Sequence, residues 1–198
     1  GHGLTSAPEL IFVRNRNGGD FKVYSEYVGN TYQGFLNDPA AFQNSGASLW
    51  QNTSPTSSVF SIGTNGGVNT NGVNHIAYCF ANAEGLCKMG IYTGNSSSDG
   101  AFIYTGFRPA FILIKKYTAS DDWAIHDNKR VERGVDSNAI DDYLRPNLSN
   151  PEGDDGESVD FLSNGFKWRI NSGLRNQSGQ SYIYLAIAEQ PFKYANAR

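Results

Sequence analysis

Apolar residues along this chain come in short runs, and the gaps between runs are filled with Gly, Asn and Ser. Helical spacing persists for no more than a turn or two, so only 38–44 ("DPAAFQN") and 136–146 ("DSNAIDDYLRP") predict helices. The other runs predict strands at 9–14, 20–25, 31–36, 58–62, 75–81, 87–92, 101–105, 110–116, 122–126, 158–162, 165–170 and 181–188. Two kinds of strand are present. "FKVYS" and "WAIHD" alternate, which predicts one wet face, whereas "LIFV", "FILI", "IAYCF" and "YIYLAIA" are apolar throughout and predict central strands covered on both sides. The fold expected is all-β: one antiparallel β-sandwich domain over 1–198, jelly-roll-like.

The runs also recur. With Pro8 set against Pro109, "PELIFVRN" matches "PAFILIKK" in apolar character at each position. "DFKVYS" then matches "DWAIHD", pairing Phe21 with Trp123, Val23 with Ile125 and Tyr24 with His126. "NGVNHIAYCFA" (71–81) matches "SGQSYIYLAIA" (178–188), placing Ile76 on Ile183, and a lysine follows each, Lys88 and Lys193. Three matches in one order predict an internal duplication, 1–95 and 100–198, joined near "YTGNSSSDGAF" (92–102), with the two halves interleaved as the sheets of one sandwich. The proline donates no N–H and presets the entry angle, so it is expected at the start of its strand in both copies.

Composition narrows the function. Gly (22), Asn (20) and Ser (19) supply close to a third of the 198 residues, and aromatics supply 13%, a blend that suits many short strands joined by tight turns. A formal charge of −3, with no basic cluster beyond "KK" at 115–116, argues against nucleic acid as a partner. No apolar run reaches the ~18 residues of a spanning helix, and the opening residues do not read as a signal peptide. The first residue is Gly rather than Met, which predicts a piece of a longer protein or a processed chain. Cys79 and Cys87 are too few for a disulfide framework; Cys79, inside "HIAYCFA", is expected as a buried free thiol, with a Cys79–Cys87 bridge as the second reading.

The opening "GHGL..AP.LI.V" with "F.VY", together with "YTGN", "DGAFIYTGFRPAFILIK", "DFLSNGFK" and "YIYLAIAEQPFKYANAR", resembles a pattern found in tail-fibre and tail-associated proteins of bacteriophages, those of marine bacteria and cyanobacteria especially. The likeness runs from Gly1 to Arg198. It implies a β-rich domain of a virion appendage, near the receptor-facing end, homotrimeric, with other tail or fibre subunits as partners. It brings no catalytic motif.

Catalytic chemistry has little footing in the residues. His2, His75 and His126 lack the spacing of zinc ligands, and each is expected to be structural, His2 through a loop hydrogen bond. The G-x-S-x-G elbow is missing. The acidic segment "NPEGDDGESVD" (150–160) predicts a solvated loop. Calcium is a second reading, weakened because Asp155 and Phe161 stand where the twelve-residue loop needs Gly and Glu. Glycan cleavage by Asp154, Asp155, Glu157 or Asp160 is a third. The glycine-rich "GTNGGVNTNG" (63–72) predicts a hairpin loop rather than a phosphate cradle. Recognition remains. Sugars present an apolar face and a polar rim, so an aromatic in a polar loop is the expected contact. Trp50 in "SGASLWQNTSPTSS", with Asn52 beside it, is the first candidate; Tyr32 and Tyr117 follow, while Trp123 and Trp168 are expected in the core or a subunit interface. The function expected is a non-enzymatic tail-fibre component that binds host polysaccharide or lipopolysaccharide, with no cofactor, no metal and no membrane insertion. A purely architectural tail or capsid protein and a secreted lectin-like module are the alternatives.

Overall fold

A computed structural model describes residues 1–130 and 139–190, and it is all-β and antiparallel. The chain divides into two compact units, Gly1–Asn82 and Ala83–Arg198. The boundary lies ahead of the join expected at 92–102, because the strand at 87–93 pairs within the second unit.

The first unit is a five-stranded sheet in the order β4-β3-β2-β1-β5, built from β1 (Leu10–Asn15), β2 (Lys22–Ser25), β3 (Tyr32–Phe35), β4 (Gln43–Asn44) and β5 (His75–Phe80). Two single-turn helices, α1 (Ala47–Trp50) and α2 (Gly66–Asn69), supply its cover: Leu49, Trp50 and Val68 pack with Ile11, Val13 and Tyr24 into a buried cluster. Segment 58–62, expected as a strand, is not one. It runs instead into Gly63, whose N–H bonds Leu49 O at 2.6 Å and whose missing Cβ would meet Ser48 O at 2.2 Å. Without that strand no hairpin can form at 63–72, and Asn65 caps α2 there, accepting from Gly67 N at 2.8 Å. Nor is 38–44 helical. Asp38 turns the chain by accepting from Ala40 N, and the Phe42 ring sits over Gly34, drawing 43–44 onto the sheet as its edge.

The second unit is a sandwich. Its strands are β6 (Cys87–Thr93), β7 (Phe102–Tyr104), β8 (Pro109–Lys116), β9 (Trp123–Asp127), β10 (Ala139–Tyr143), β11 (Gly153–Leu162), β12 (Gly165–Trp168) and β13 (Ser181–Ala188), with one helical turn, α3 (Gly173–Asn176). One sheet runs β6-β13-β8-β9 and the other β10-β11-β12-β7. Ile112, Ile114, Tyr182 and Tyr184 of the first pack against Ile140, Val159, Phe161, Phe166 and Trp168 of the second. Tyr92 and Tyr182 stack at 4.9 Å, and Trp123 and Trp168 are both buried, as expected. Two expectations fail here. The part of 136–146 that lies within the described residues is β10, a strand because Ile140 and Tyr143 are drawn into the core; 136–138 lie outside the described residues. The acidic 150–160 is not a loop, since from Gly153 it is β11, paired on both sides.

The recurrence seen in the sequence is matched by pairing. In the first unit β1 lies between β2 and β5; in the second, β8 lies between β9 and β13. Leu10 opposes Ser25 and Phe80, and its counterpart Phe111 opposes Asp127 and Ile187. Arg14 opposes Ile76, and Lys115 opposes Ile183. The register is the same in both sets. Each set forms its own sheet. Pro109 opens β8 as expected, whereas Pro8 lies two residues ahead of β1; Lys193 lies outside the described residues.

Candidate functional site

The outer face of the sheet β10-β11-β12-β7 carries the candidate site. On β7 the alternation Phe102-Ile103-Tyr104 sends Ile103 into the core and leaves Phe102 and Tyr104 on the opposite side, 46% and 65% exposed. Two such rings sit ~7 Å apart along a strand. Tyr104 opposes Gly165, and an added Cβ there would meet both the Phe102 ring and Ile103 O, the latter at 2.2 Å. Glycine is thus required for the ring to lie down over β12.

A charged row borders the aromatic pair. Phe102 opposes Lys167, and Lys167 opposes Asp160. Asp99 reaches Lys167 Nζ at 2.6 Å and Arg169 at 3.5 Å, while Arg169 Nε donates to Asp160 at 2.6 Å. Hydrogen bonding from Lys167, then its charge and that of Arg169, hold the Asp99 carboxyl below its ordinary value despite its exposure. The result is a patch of alternating donors and acceptors beside two apolar rings.

The loop that presents Asp99 is fastened from below. Asn176 is fully buried, accepts from Asn95 N at 3.0 Å, and donates to Asn95 Oδ1, Ser97 O and Ile170 O at 3.0, 2.8 and 3.1 Å. Ser97 Oγ then accepts from Asp99 N at 3.0 Å. Glycines close both ends: a Cβ at Gly94 would meet Gln177 O at 2.4 Å, and one at Gly100 would meet Trp168 O at 2.7 Å. "YTGNSSSDGAF", expected as a join between halves, is therefore a pinned loop between β6 and β7.

The residues expected to bind ligand lie elsewhere. Trp50 is 1% exposed; its ring meets Tyr24 edge-on and its Nε1 donates to Tyr32 O at 2.9 Å. A ring buried in this way offers no face to a sugar, because burying it removes more water than leaving it in a loop. Tyr32 and Asn52 stay at the surface of the first unit, Asn52 in the left-handed region at φ 50°. Tyr117 belongs to the second unit and is half-buried, its N–H donating to Ser181 O. Asp154 is exposed on β11, Asp160 is tied to Arg169, and the side chains of Asp155 and Glu157 lie outside the described residues.

The histidines hold structure. His2 accepts from Leu4 N through Nδ1 and donates through Nε2 to Thr56 O, the expected loop bond. His126 is buried in the sandwich, where Nε2 accepts from Arg175 Nε at 2.9 Å, and the Arg175 guanidinium lies over the Tyr143 ring at 3.9 Å. Burial first, and then the Arg175 charge, hold His126 well below its ordinary pKa, against an opposing pull from the Asp142 carbonyl. Both cysteines are free, and burial pushes the Cys79 thiol up. Among the described residues no three metal-ligating side chains gather, and no helix is long and apolar enough to cross a membrane.

A family model described as a domain of unknown function, DUF7483, matches residues 1–191. The chain belongs to the DUF7483 family. No curated protein and no solved structure matches it. Within this DUF7483 chain the Phe102–Tyr104 face, absent from the expectations above, joins exposed aromatic area to a pinned polar rim.

Proposed function

We propose that this DUF7483 chain is a non-enzymatic component of a phage tail fibre that attaches to a host cell-surface glycan, polysaccharide or lipopolysaccharide, through the outer face of β7 and β12. One observation carries the reading: Phe102 and Tyr104 stand side by side and exposed on a strand, next to the Asp99–Lys167–Arg169–Asp160 row. Rings on a rigid strand lose little freedom on binding, and their flat faces suit the apolar side of a pyranose. The ion pairs supply both donors and acceptors for hydroxyl groups. The likeness of "DGAFIYTGFRPAFILIK" to tail-fibre proteins supports the phage setting, and that stretch contains both rings. The reading also takes the two proline-led strand sets as copies of one duplicated segment, supported by their shared register.

Labelled protein is expected to stain host cells or bind their extracted polysaccharide. Phe102→Ala and Tyr104→Ala should each weaken binding about tenfold, the scale of one stacked ring. Binding that survives the double substitution, with the fold intact, would move the site elsewhere. Silence of the unaltered chain against host glycans would sink the adhesive function itself.

A further inference from the structure

The shared register exposes one difference between the two strand sets. In the second unit β13, the counterpart of β5, is closed on its far side by β6, which pairs with it from Ser181 to Ile187. In the first unit β5 has no strand on its far side among the described residues. Counterpart side chains differ in exposure as well: Ile183 and Leu185 are each 3% exposed, whereas Ile76 is 39% and Tyr78 48% exposed. Ala77 between them is exposed as well.

An open edge invites pairing with another chain, and edges are ordinarily blunted by shortness or charge. The other five sheet edges among the described residues follow that rule. β4 has two residues and β7 three; β6 carries Lys88, β9 Asp127, and β10 Asp141 and Asp142. β5, with the sequence HIAYCF, has six residues and no Lys, Arg, Asp, Glu or Pro. Among the described residues it is the unguarded edge.

We infer that β5 pairs with β5 of a second copy of this chain, antiparallel, across a two-fold axis at Ala77. Residues directly opposite in an antiparallel pair share a face, so a symmetric pairing must place like-facing residues together. Centring on Ala77 does so. Ile76 then opposes Tyr78 of the second copy, and Tyr78 opposes Ile76 of the second copy, giving two aromatic–β-branched cross-strand pairs on one face. The small Ala77 meets itself on the axis, as Gly90 of β6 meets Tyr184, the counterpart of Ala77, in the second unit. An isologous contact of this kind closes on itself and gives a dimer, in place of the trimer that the tail-fibre resemblance implies. It stands independently of the glycan reading.

Sedimentation of the chain over a range of concentrations is expected to show a species of twice the chain mass. Ile76→Lys and Tyr78→Glu, both at exposed positions, should each weaken association by about tenfold or more, because the axis counts every loss twice. The combination of the two should restore it, since each lysine then faces a glutamate of the other copy. A single-chain mass throughout, a trimer, or a dimer indifferent to both substitutions overturns the inference. Amide exchange in β5 of the unaltered chain provides a check free of substitutions: protection should rise with concentration, and protection independent of concentration overturns the pairing equally.

Discussion

Asn176→Ala is expected to lower the stability of the second unit by about 3 kcal/mol and to free the loop that carries Asp99. The Asn176 side chain is buried and makes four hydrogen bonds, to Asn95 N, Asn95 Oδ1, Ser97 O and Ile170 O. Alanine leaves each of these groups without that partner, and an unmet buried polar group costs about 1–3 kcal/mol. Asn176→Asp does not rescue, because a carboxylate keeps the acceptor for Asn95 N and loses both donors. The urea midpoint checks stability, and amide exchange at 95–99 checks the loop. Glycan affinity should fall with them, since Asp99 would have to be ordered at the moment of binding. An unchanged midpoint would show that the loop is held by its glycines and ion pairs alone.

Acidification from pH 6.5 toward 5 should destabilise the chain by up to about 1.4 kcal/mol per pH unit through His126 alone. Its folded pKa lies well below the ordinary 6.5, so in that window the unfolded chain takes up a proton that the folded chain refuses. Above the unfolded pKa the effect is absent. It grows as pH falls, and it stops growing once pH passes below the folded pKa. His126→Gln keeps an acceptor for Arg175 and removes the titration, so urea midpoints of this variant should be nearly flat across the same window. Asp20 and Asp99, whose carboxyls are held below their ordinary value, are shifted in the same sense as His126 and act in the same direction on stability. Their share is lost lower down, as pH falls from the ordinary carboxylate range through the depressed folded values. A slope from pH 6.5 to 5 that persists in His126→Gln would assign it to other groups.

The all-β class, most strand positions and the recurring proline-led set were legible because they rest on local information. A strand's period of two and its turn residues are written within a few positions, and "PELIFVRN" and "PAFILIKK" show them without reference to the rest of the chain. The helical readings of 38–44 and 136–146 failed because distant contacts override weak propensity. Phe42 needs Gly34, and Ile140 with Tyr143 need the core of the sandwich.

The candidate site was partly legible in a different sense. "AFIYTG" displays the alternation that separates Phe102 and Tyr104 from Ile103. All three are apolar, so the pattern gives two faces and no sign of which one is wet. Trp50 misled for the converse reason. Its polar neighbours suggested a surface loop, yet α1 folds that loop over β1 and β2 and buries the ring. Asn176 offered no local signal, since its four bonds reach residues as far away as 95 and 97.

From its sequence alone this chain was bound to form short extended segments joined by polar turns, because backbone period and turn chemistry act over neighbours. Tertiary structure alone decided which of two apolar faces meets water, that β13 gains β6 while β5 has no such neighbour among the described residues, and that a buried asparagine fastens an exposed loop. Those outcomes depend on which surfaces remain once remote segments have packed, and free energy of burial is a property of the assembled surface rather than of any stretch of residues.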